Sequence, residues 1–496
     1  MRSTLTCVAH RCAGAAAAAL LVATAASVIT PHASAAGSAA AGPDSAARSD
    51  RSVIVRRGGS DATLRFHRAA AGEVFLAVTV SARGVSWATR GNESAVVSAY
   101  VDGHYATDIV ITSVGPVARH FALGHLRAGG HTLRLHYASG RSPSNAGVAR
   151  LQDIGFSTVR PSDPAYVAAK YAPVLYGRNI AGLGGRFENN RTDTPLVAWH
   201  QVLPAAKAGH SVIEYSVVWS NEDGGTGASA GLLMAQWGRT TDIEWIYRVE
   251  VDAKGRRVPG SGVFQSPNHG TTAFRGGYDG THPLLQTCTS NNNVCDAKAL
   301  KGQHQRTDPM RFGLSTRGVL GAAQPREHEM DINPWTYQVM GREMVRENKV
   351  ESSPDPSSTP LLGDARTYLY LAVTHDTQPP ASAGGVGLTV EVTLRGDPTT
   401  YSSNHDNALG LGSVNRNGPA ATTVELPVGT RAADVASISV RRVAIGPDNG
   451  ASLHVTELRR AFFLGTTYKP FMSFARRHLD VTLTQATPSG VIWPRP

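Results

Sequence analysis

Short runs in which apolar and polar residues alternate recur along most of this chain, each soon broken by Gly, Asn, Ser or Pro. A period of two is the mark of a strand with one face buried. Between residues 51 and 159 the runs are SVIVRR, EVFLAVTVSA, SAVVSAYVDG, DIVITSV, HTLRLHYAS and LQDIGFSTV. Many short strands separated by turns specify a sandwich or jelly roll. The 51 glycines and 28 prolines supply the turns. A chain of 496 residues exceeds one ordinary core, and no short tandem repeat points to a solenoid or propeller. The expected class is all-β, with several jelly-roll-like β-sandwich domains and few short helices.

The expected order begins with a signal peptide over 1–35 and a flexible Ala/Gly/Ser linker over 36–50. A β-sandwich follows over 51–159, then a central β-sandwich over 165–395 and a β-rich accessory domain over 397–496. Within the central part, PAYVAAKYAPVLYGR reads as a short helix leading into a strand. VIEYSVVW, GLLMAQWG, DIEWIYRVEVD and TYLYLAVTHD read as strands. PWTYQVMGREMVREN is the good helix candidate, with Pro334 near its first turn.

The leader has Arg2, His10 and Arg11 before an apolar stretch over 13–29, and Ala33-Ser34-Ala35 suits cleavage. It implies Sec-type export to an extracellular location. No other segment reaches the roughly 18 apolar residues that a membrane span needs. Beyond the leader, Cys288 and Cys295 are the two cysteines, and in an oxidising compartment they pair. So short a loop gains modest stability, so the bond is expected to fix the shape of the Asn-rich loop between them.

Chemistry-bearing groups are densest from Glu214 to Asp252. Asp242 and Glu244, at i and i+2 of a strand, share a face with Cα atoms roughly 6.6 Å apart. Carboxylates that close raise each other's pKa, or serve as oxygen ligands for Ca²⁺ or Mg²⁺. The ordinary alternative makes Asp242 a turn acceptor and Glu244 a solvent-facing partner of Arg239 or Arg248. Glu222 and Asp223 precede Gly224 and Gly225. An Asp-Gly hairpin turn accounts for Asp223 but does not require Glu222. Trp219 and Trp237, at strand ends, are candidate stacking platforms, and Trp245 points to the face opposite Glu244.

Among the histidines, His269, His282 and His328 lie in loop-like contexts. None has the tight spacing of a zinc motif. His282 stands out between Gly280 and Pro283. There is no GxSxG elbow, Walker loop or GxGxxG after a strand. The formal net charge is +10. It weakly favours acidic polymers, and no basic cluster with interleaved aromatics points to nucleic acid.

Two family likenesses attach to these residues. LRAGGHTLRLHYA and LQDIGFSTV resemble strands of carbohydrate-binding modules. That likeness makes Trp87, Tyr100, Tyr105 and Tyr137 sugar-stacking candidates, against the equal alternative of core or rim aromatics. IEYSVVW, TTDIEWIYRVEVD and the later GTHPLL resemble the Vps62-related and necrosis-inducing-like β-sandwich proteins over about residues 165–395. In the necrosis-inducing branch, acidic and His residues hold a divalent cation that helps engage a sugar-bearing membrane lipid. GRTTDIEW stands where that branch has its His-containing heptapeptide, so the resemblance carries over Asp242 and Glu244 alone as cation ligands. It does not carry cytolysis.

Two functions follow as expectations. The first is a glycoside hydrolase acting on an extracellular polysaccharide or glycoconjugate. Glu244 and Glu222 would be its acid and base or nucleophile, with Asp242 tuning Glu244, and Trp219, Trp237, His282 and Asp223 contacting substrate. It requires no cofactor. The alternative is a non-catalytic, metal-dependent glycan or glycolipid binder, with Asp242, Glu244, His282 and Asp331 as ligands of Ca²⁺ or Mg²⁺.

Overall fold

The computed structural model describes residues 51–178, 193–222, 230–289, 291–296, 310–321, 323–351, 362–378, 385–405 and 412–494. The leader, the linker, Asp223 and its two glycines lie outside these residues. Among the described residues the chain is mostly β, with six sheets and four α-helices. No described helix is long and apolar enough to cross a membrane.

The first sandwich is a jelly roll. One sheet runs Val53–Arg56, Val148–Val159, Gly72–Arg83, Val117–Leu126. The facing sheet runs Ala62–Arg68, Gly129–Tyr137, Ala95–Val101, His104–Ile111. In sequence order these are strands 1-8-3-6 and 2-7-4-5, the two interlocked Greek keys of that fold. Alternate residues such as Val74, Leu76, Val78 and Val80 fill the space between the sheets. Two of its strands, ATLRFHR and VARHFALGHL, escaped the sequence reading. The first has few large apolar residues, and in the second Arg119 takes a buried position and Ala118 an exposed one, which breaks the alternation. Trp87 and Tyr137 are buried, and Arg134 sits 3.8 Å over the Tyr100 ring. Tyr105 donates from its hydroxyl to buried Asp108. These aromatics pack the sandwich rather than offering open faces.

The last eight strands make another two-sheet unit. One sheet runs Gly418–Glu425, Tyr368–Gln378, Ser452–Phe462, Arg477–Leu483. The other runs Thr400–Ser402, Val386–Leu394, Val435–Ala444, Ser489–Pro494. They enclose Leu369, Leu371, Val390, Val440 and Leu453 in one apolar core. The sequence reading grouped TYLYLAVTHD with the central strands, but it pairs here, because its apolar face is completed by strands far later in the chain.

Between these units lies a sheet ordered Pro195–Pro204, Ser211–Trp219, Asp242–Val251, Val263–Ser266, Gly270–Ala273. One face packs through Ile213, Tyr215, Val217 and Trp219 on Leu175, Leu285 and Phe312. Val218 and Ile243 are cross-strand partners that join Trp199, Met234, Tyr337 and Met340 in a separate core. The helix Trp335–Arg346 with Pro334 before it matches expectation. GLLMAQWG does not form a strand. Residues Ala230–Trp237 are a helix, since Leu, Met, Ala and Gln favour helix and the run has no β-branched residue. The Met234 and Ala235 carbonyls at its end accept from Thr423 Oγ1 (2.9 Å) and Thr422 Oγ1 (2.6 Å). The first adds to the bond that the Met234 carbonyl already accepts from the Gly238 amide (3.0 Å), and the second satisfies an acceptor that a helix end otherwise leaves bare.

Candidate active site

Asp242 opens its strand opposite Trp219, and Glu244 stands opposite Val217. The pleat puts both carboxylates on one face. Three residues past Trp219, the Glu222 amide donates to the Thr240 carbonyl (3.0 Å), which holds that side chain beside the start of the same strand. All three acids line one cavity of about 820 Å³, along with Trp237, His269, Arg326 and Glu327.

Distant segments complete the cavity or back its acids from behind. The Cys288–Cys295 disulfide is formed, with Cα atoms 5.9 Å apart. Inside its loop the Cys288 amide donates to the Asn293 carbonyl (2.9 Å) and the Asn293 amide to Thr289 Oγ1 (3.0 Å). Those bonds drive Asn292 inward to full burial. Its Nδ2 donates to the Asn221 carbonyl (3.2 Å), and its side chain hydrogen-bonds Asp242. A hairpin turn supplies His269, whose Nδ1 lies 3.4 Å from Glu244 Oε1 and 2.9 Å from Gln265 Nε2. Asn268 and His269 both have positive φ, at 60° and 57°. Two successive non-glycine residues in the left-handed region are costly and cluster at functional sites.

Burial pushes the Asp242 carboxyl well above the usual carboxylate range, and the charges of Glu222 and Glu244 add to it. Arg239 and Asn292 oppose without prevailing. Burial and Glu222 likewise raise Glu244 against the pull of His269, Gln265 and Arg326. The basic residues nearby are engaged elsewhere. Arg239 Nε pairs with Glu327 at 3.2 Å, and Arg248 and Arg326 reach Glu214 at 2.6 and 3.3 Å. Burial works against the Glu327 charge, yet Arg239, Arg416 and Arg460 hold its pKa down. The alternative in which Arg239 or Arg248 neutralises Glu244 is therefore not what the fold builds. No Lys or Arg forms an ion pair with Asp242 or Glu244 among the described residues, and His269 is the one basic side chain paired with Glu244 there.

The sign of the resulting pH dependence is definite. A carboxyl raised in the folded state stabilises it below the ordinary carboxylate pKa and loses that contribution as pH climbs through the raised value. Asp242→Asn is therefore expected to melt with the wild type near pH 4 and above it at pH 7.5, as differential scanning calorimetry at the two values would read. A lower melting point for the variant at pH 7.5 would contradict the assignment.

Other expected site residues fall elsewhere. Trp219 is 1% exposed inside the core and offers no face to a ligand. A strand end here is not a rim, because the sheet is covered on both sides. Trp237 lines the cavity, but the Arg416 guanidinium lies 4.1 Å from its ring centre and that of Arg239 5.5 Å. It is a cation platform more than a free sugar platform. Trp245 is buried under Arg248. His282 is buried in another cavity, its Nδ1 2.8 Å from the Ala172 carbonyl and its Nε2 3.2 Å from Glu73 Oε2. Burial alone would lower its pKa, but Glu73, the Ala172 carbonyl and Asp279 together outweigh burial and raise it. Asp331 accepts from the Tyr337 hydroxyl (2.8 Å) and pairs with Arg460 in a third cavity. The ligand set Asp242, Glu244, His282 and Asp331 is thus divided among three places, each acid or imidazole having found a nearer partner. No group of three or more His, Cys, Asp or Glu is placed to hold a metal ion among the described residues. Of the Glu327–Asp331 run expected to complete the acid site, Glu327 lines the cavity and Asp331 does not; the sequence did not point to Gln265, Asn291, Asn292 or Arg416. The one signal for two of them was the disulfide around TSNNNV.

No family model matches the chain, and no curated protein does either. Among solved structures it is similar to the C-terminal domain of EclA, a sugar-binding protein, at 18% identity and TM-score 0.16, over 22% of this chain and 79% of that one. It is similar to a family two carbohydrate esterase from Clostridium thermocellum at 17% identity and TM-score 0.15, over 25% of this chain and 33% of the esterase. The tandem carbohydrate-binding modules of a family 98 glycoside hydrolase from Streptococcus pneumoniae match at 9% identity and TM-score 0.14, over 78% of this chain and 81% of theirs. The resemblance to carbohydrate-binding modules and β-domains of carbohydrate-active enzymes is distant. At such TM-scores it carries no activity to this chain.

Proposed function

We propose that this chain is an exported hydrolase of a polysaccharide or glycoconjugate, acting in the cavity around Asp242. One observation supports it most. Three carboxylates from two adjoining strand ends meet in a cleft where no Lys or Arg pairs directly with Asp242 or Glu244 among the described residues, which favours keeping an acid protonated beside an ionised partner. Glu244, edged by His269, donates its proton to the glycosidic oxygen as the bond to the anomeric carbon breaks. Glu222 either attacks that carbon or takes a proton from the water that does. Burial keeps Asp242, the deepest of the three, protonated, and the Glu222 charge keeps the Glu244 proton in place.

A second reading has its own observation. Asp242 Oδ2, Asn292 Oδ1, Asn291 Oδ1 and Gln265 Oε1 are buried without a hydrogen-bond donor among the described residues. Bare oxygens of this kind suit a hard cation such as Ca²⁺, and would make the cleft a metal-dependent glycan or glycolipid binder.

The two readings separate in one experiment. The mature protein is incubated with a panel of cell-wall and plant glycans, and new reducing ends are followed with and without chelator. Hydrolysis that persists in chelator is the expected result. Absence of cutting, together with a melting point raised by Ca²⁺, would replace the first reading with the second.

A further inference from the structure

The acid cavity is bordered by Gln324 and Pro325, and these two residues also line a second cavity of about 300 Å³. That neighbour is walled by His328, Asp331, Arg459, Arg460, Phe471 and Arg476. Its charges do not balance. Glu457 serves both Arg459 and Arg476, the latter at 3.4 Å, while Asp331 serves Arg460. The Nε atoms of Arg459 and Arg460 are buried and meet no hydrogen-bond acceptor among the described residues. Three guanidinium groups against two carboxylates leave the wall net positive, and the planar fork suits a carboxylate or sulfate.

The acid cavity repeats the pattern on its own wall. Arg416 donates to the Gln236 and Ala421 carbonyls and covers Trp237, yet no carboxylate forms an ion pair with it among the described residues. Phe471 is 64% exposed, and Met472 beside it 91%. An open aromatic next to unsatisfied guanidinium groups fits a sugar ring that bears a negative charge. A neutral sugar would fill the space and leave the charge unmet.

We propose that the cavity between the helix His328–Ile332 and the segment 470–476 is a subsite for an anionic sugar residue, bearing carboxylate or sulfate, of the polymer bound in the adjoining acid cavity. The inference rests on the glycan reading above for what that cavity holds. Arg459 and Arg476 grip the anion, Arg460 fixes the floor through Asp331, and Phe471 takes the ring face.

Titration calorimetry on the mature chain tests this with four probes of matched length: an oligouronate, a sulfated oligosaccharide, a neutral oligosaccharide and oligo-aspartate. One of the two anionic sugars should bind at least about ten-fold more tightly than the neutral one. Whichever of them binds identifies carboxylate or sulfate as the group. Arg459→Gln/Arg476→Gln should lose roughly that ten-fold. Arg459→Lys/Arg476→Lys, which keeps the charge and spares the Glu457 contacts, should lose an intermediate share because the fork is gone. Phe471→Ala should weaken the sugar without affecting oligo-aspartate. Equal affinity for neutral and anionic sugars, unchanged binding in both Arg variants, or oligo-aspartate binding as tightly as the sugars would each overturn the subsite. The two proposals fail separately. Cutting of neutral glycans alone removes the anionic subsite and leaves Glu222 and Glu244 in place. Oligouronate bound but never cut retains the subsite and removes the hydrolase.

Discussion

Glu244→Gln is expected to lower turnover by about 10²–10⁴-fold while leaving glycan binding within a few-fold of wild type. Gln keeps the shape of the protonated acid and its contacts with His269 and Gln265, but cannot give up a proton to a leaving oxygen. The loss should therefore fall on kcat, with KM little changed. The wild-type rate should also fall on the alkaline side as the raised Glu244 carboxyl ionises, since burial and the Glu222 charge hold the proton on it. Steady-state kinetics from pH 4 to 9 on the two proteins would check both statements. Undiminished turnover in Glu244→Gln would take the acid role away from it.

Arg346→Met is expected to destabilise the folded chain by about 3–5 kcal/mol, the usual cost of removing one partner from a buried ion pair. Its side chain is 4% exposed and pairs with Glu93 at 3.2 Å, with Glu343, and with Glu347 at 2.9 Å. The Glu93 and Glu343 side chains are 0% and 1% exposed, so neither can turn to water when the guanidinium is lost. The same cluster receives Asn221 Nδ2, which donates to Glu343 and, at 3.3 Å, to Glu347. Asn221 precedes Glu222 in the chain and accepts from Asn292 at its carbonyl. One buried cation thus ties the jelly roll, through Glu93, to the helix Trp335–Arg346 and to the edge of the acid cavity. Urea unfolding should give a lower midpoint for the variant. A midpoint equal to the wild type would mean that the acids protonate at no cost.

The sequence was most legible where one residue's neighbours decide its place. Alternation alone outlined the jelly roll, because inward residues such as Val74, Leu76 and Val78 follow one another at every second position. It failed at GLLMAQWG, where an apolar run has no period and side-chain type decides for helix. The acid pair was legible for the same local reason: i and i+2 on a strand share a face whatever lies around them. What surrounds the pair was not legible. His269 arrives by a hairpin turn, Asn292 by a disulfide loop, and Arg416 from the last β unit. Trp219 shows the converse, since nothing nearby in sequence says that a second layer will cover the strand end.

The site physics is most directly read by carbon-13 NMR of side-chain carboxyls in Asp/Glu-labelled protein, titrated from pH 3 to 9. Wild type, Asp242→Asn and Glu244→Gln would assign the signals by loss. The carboxylate cluster should titrate as a coupled set with apparent values above the ordinary Asp and Glu range of about 3.9–4.3, and deleting the Glu244 charge should bring the Asp242 signal down. If Asp242 and Glu244 both titrate inside that ordinary range, independently of each other, the cavity holds no protonated acid at neutral pH and the proposed chemistry has no proton donor.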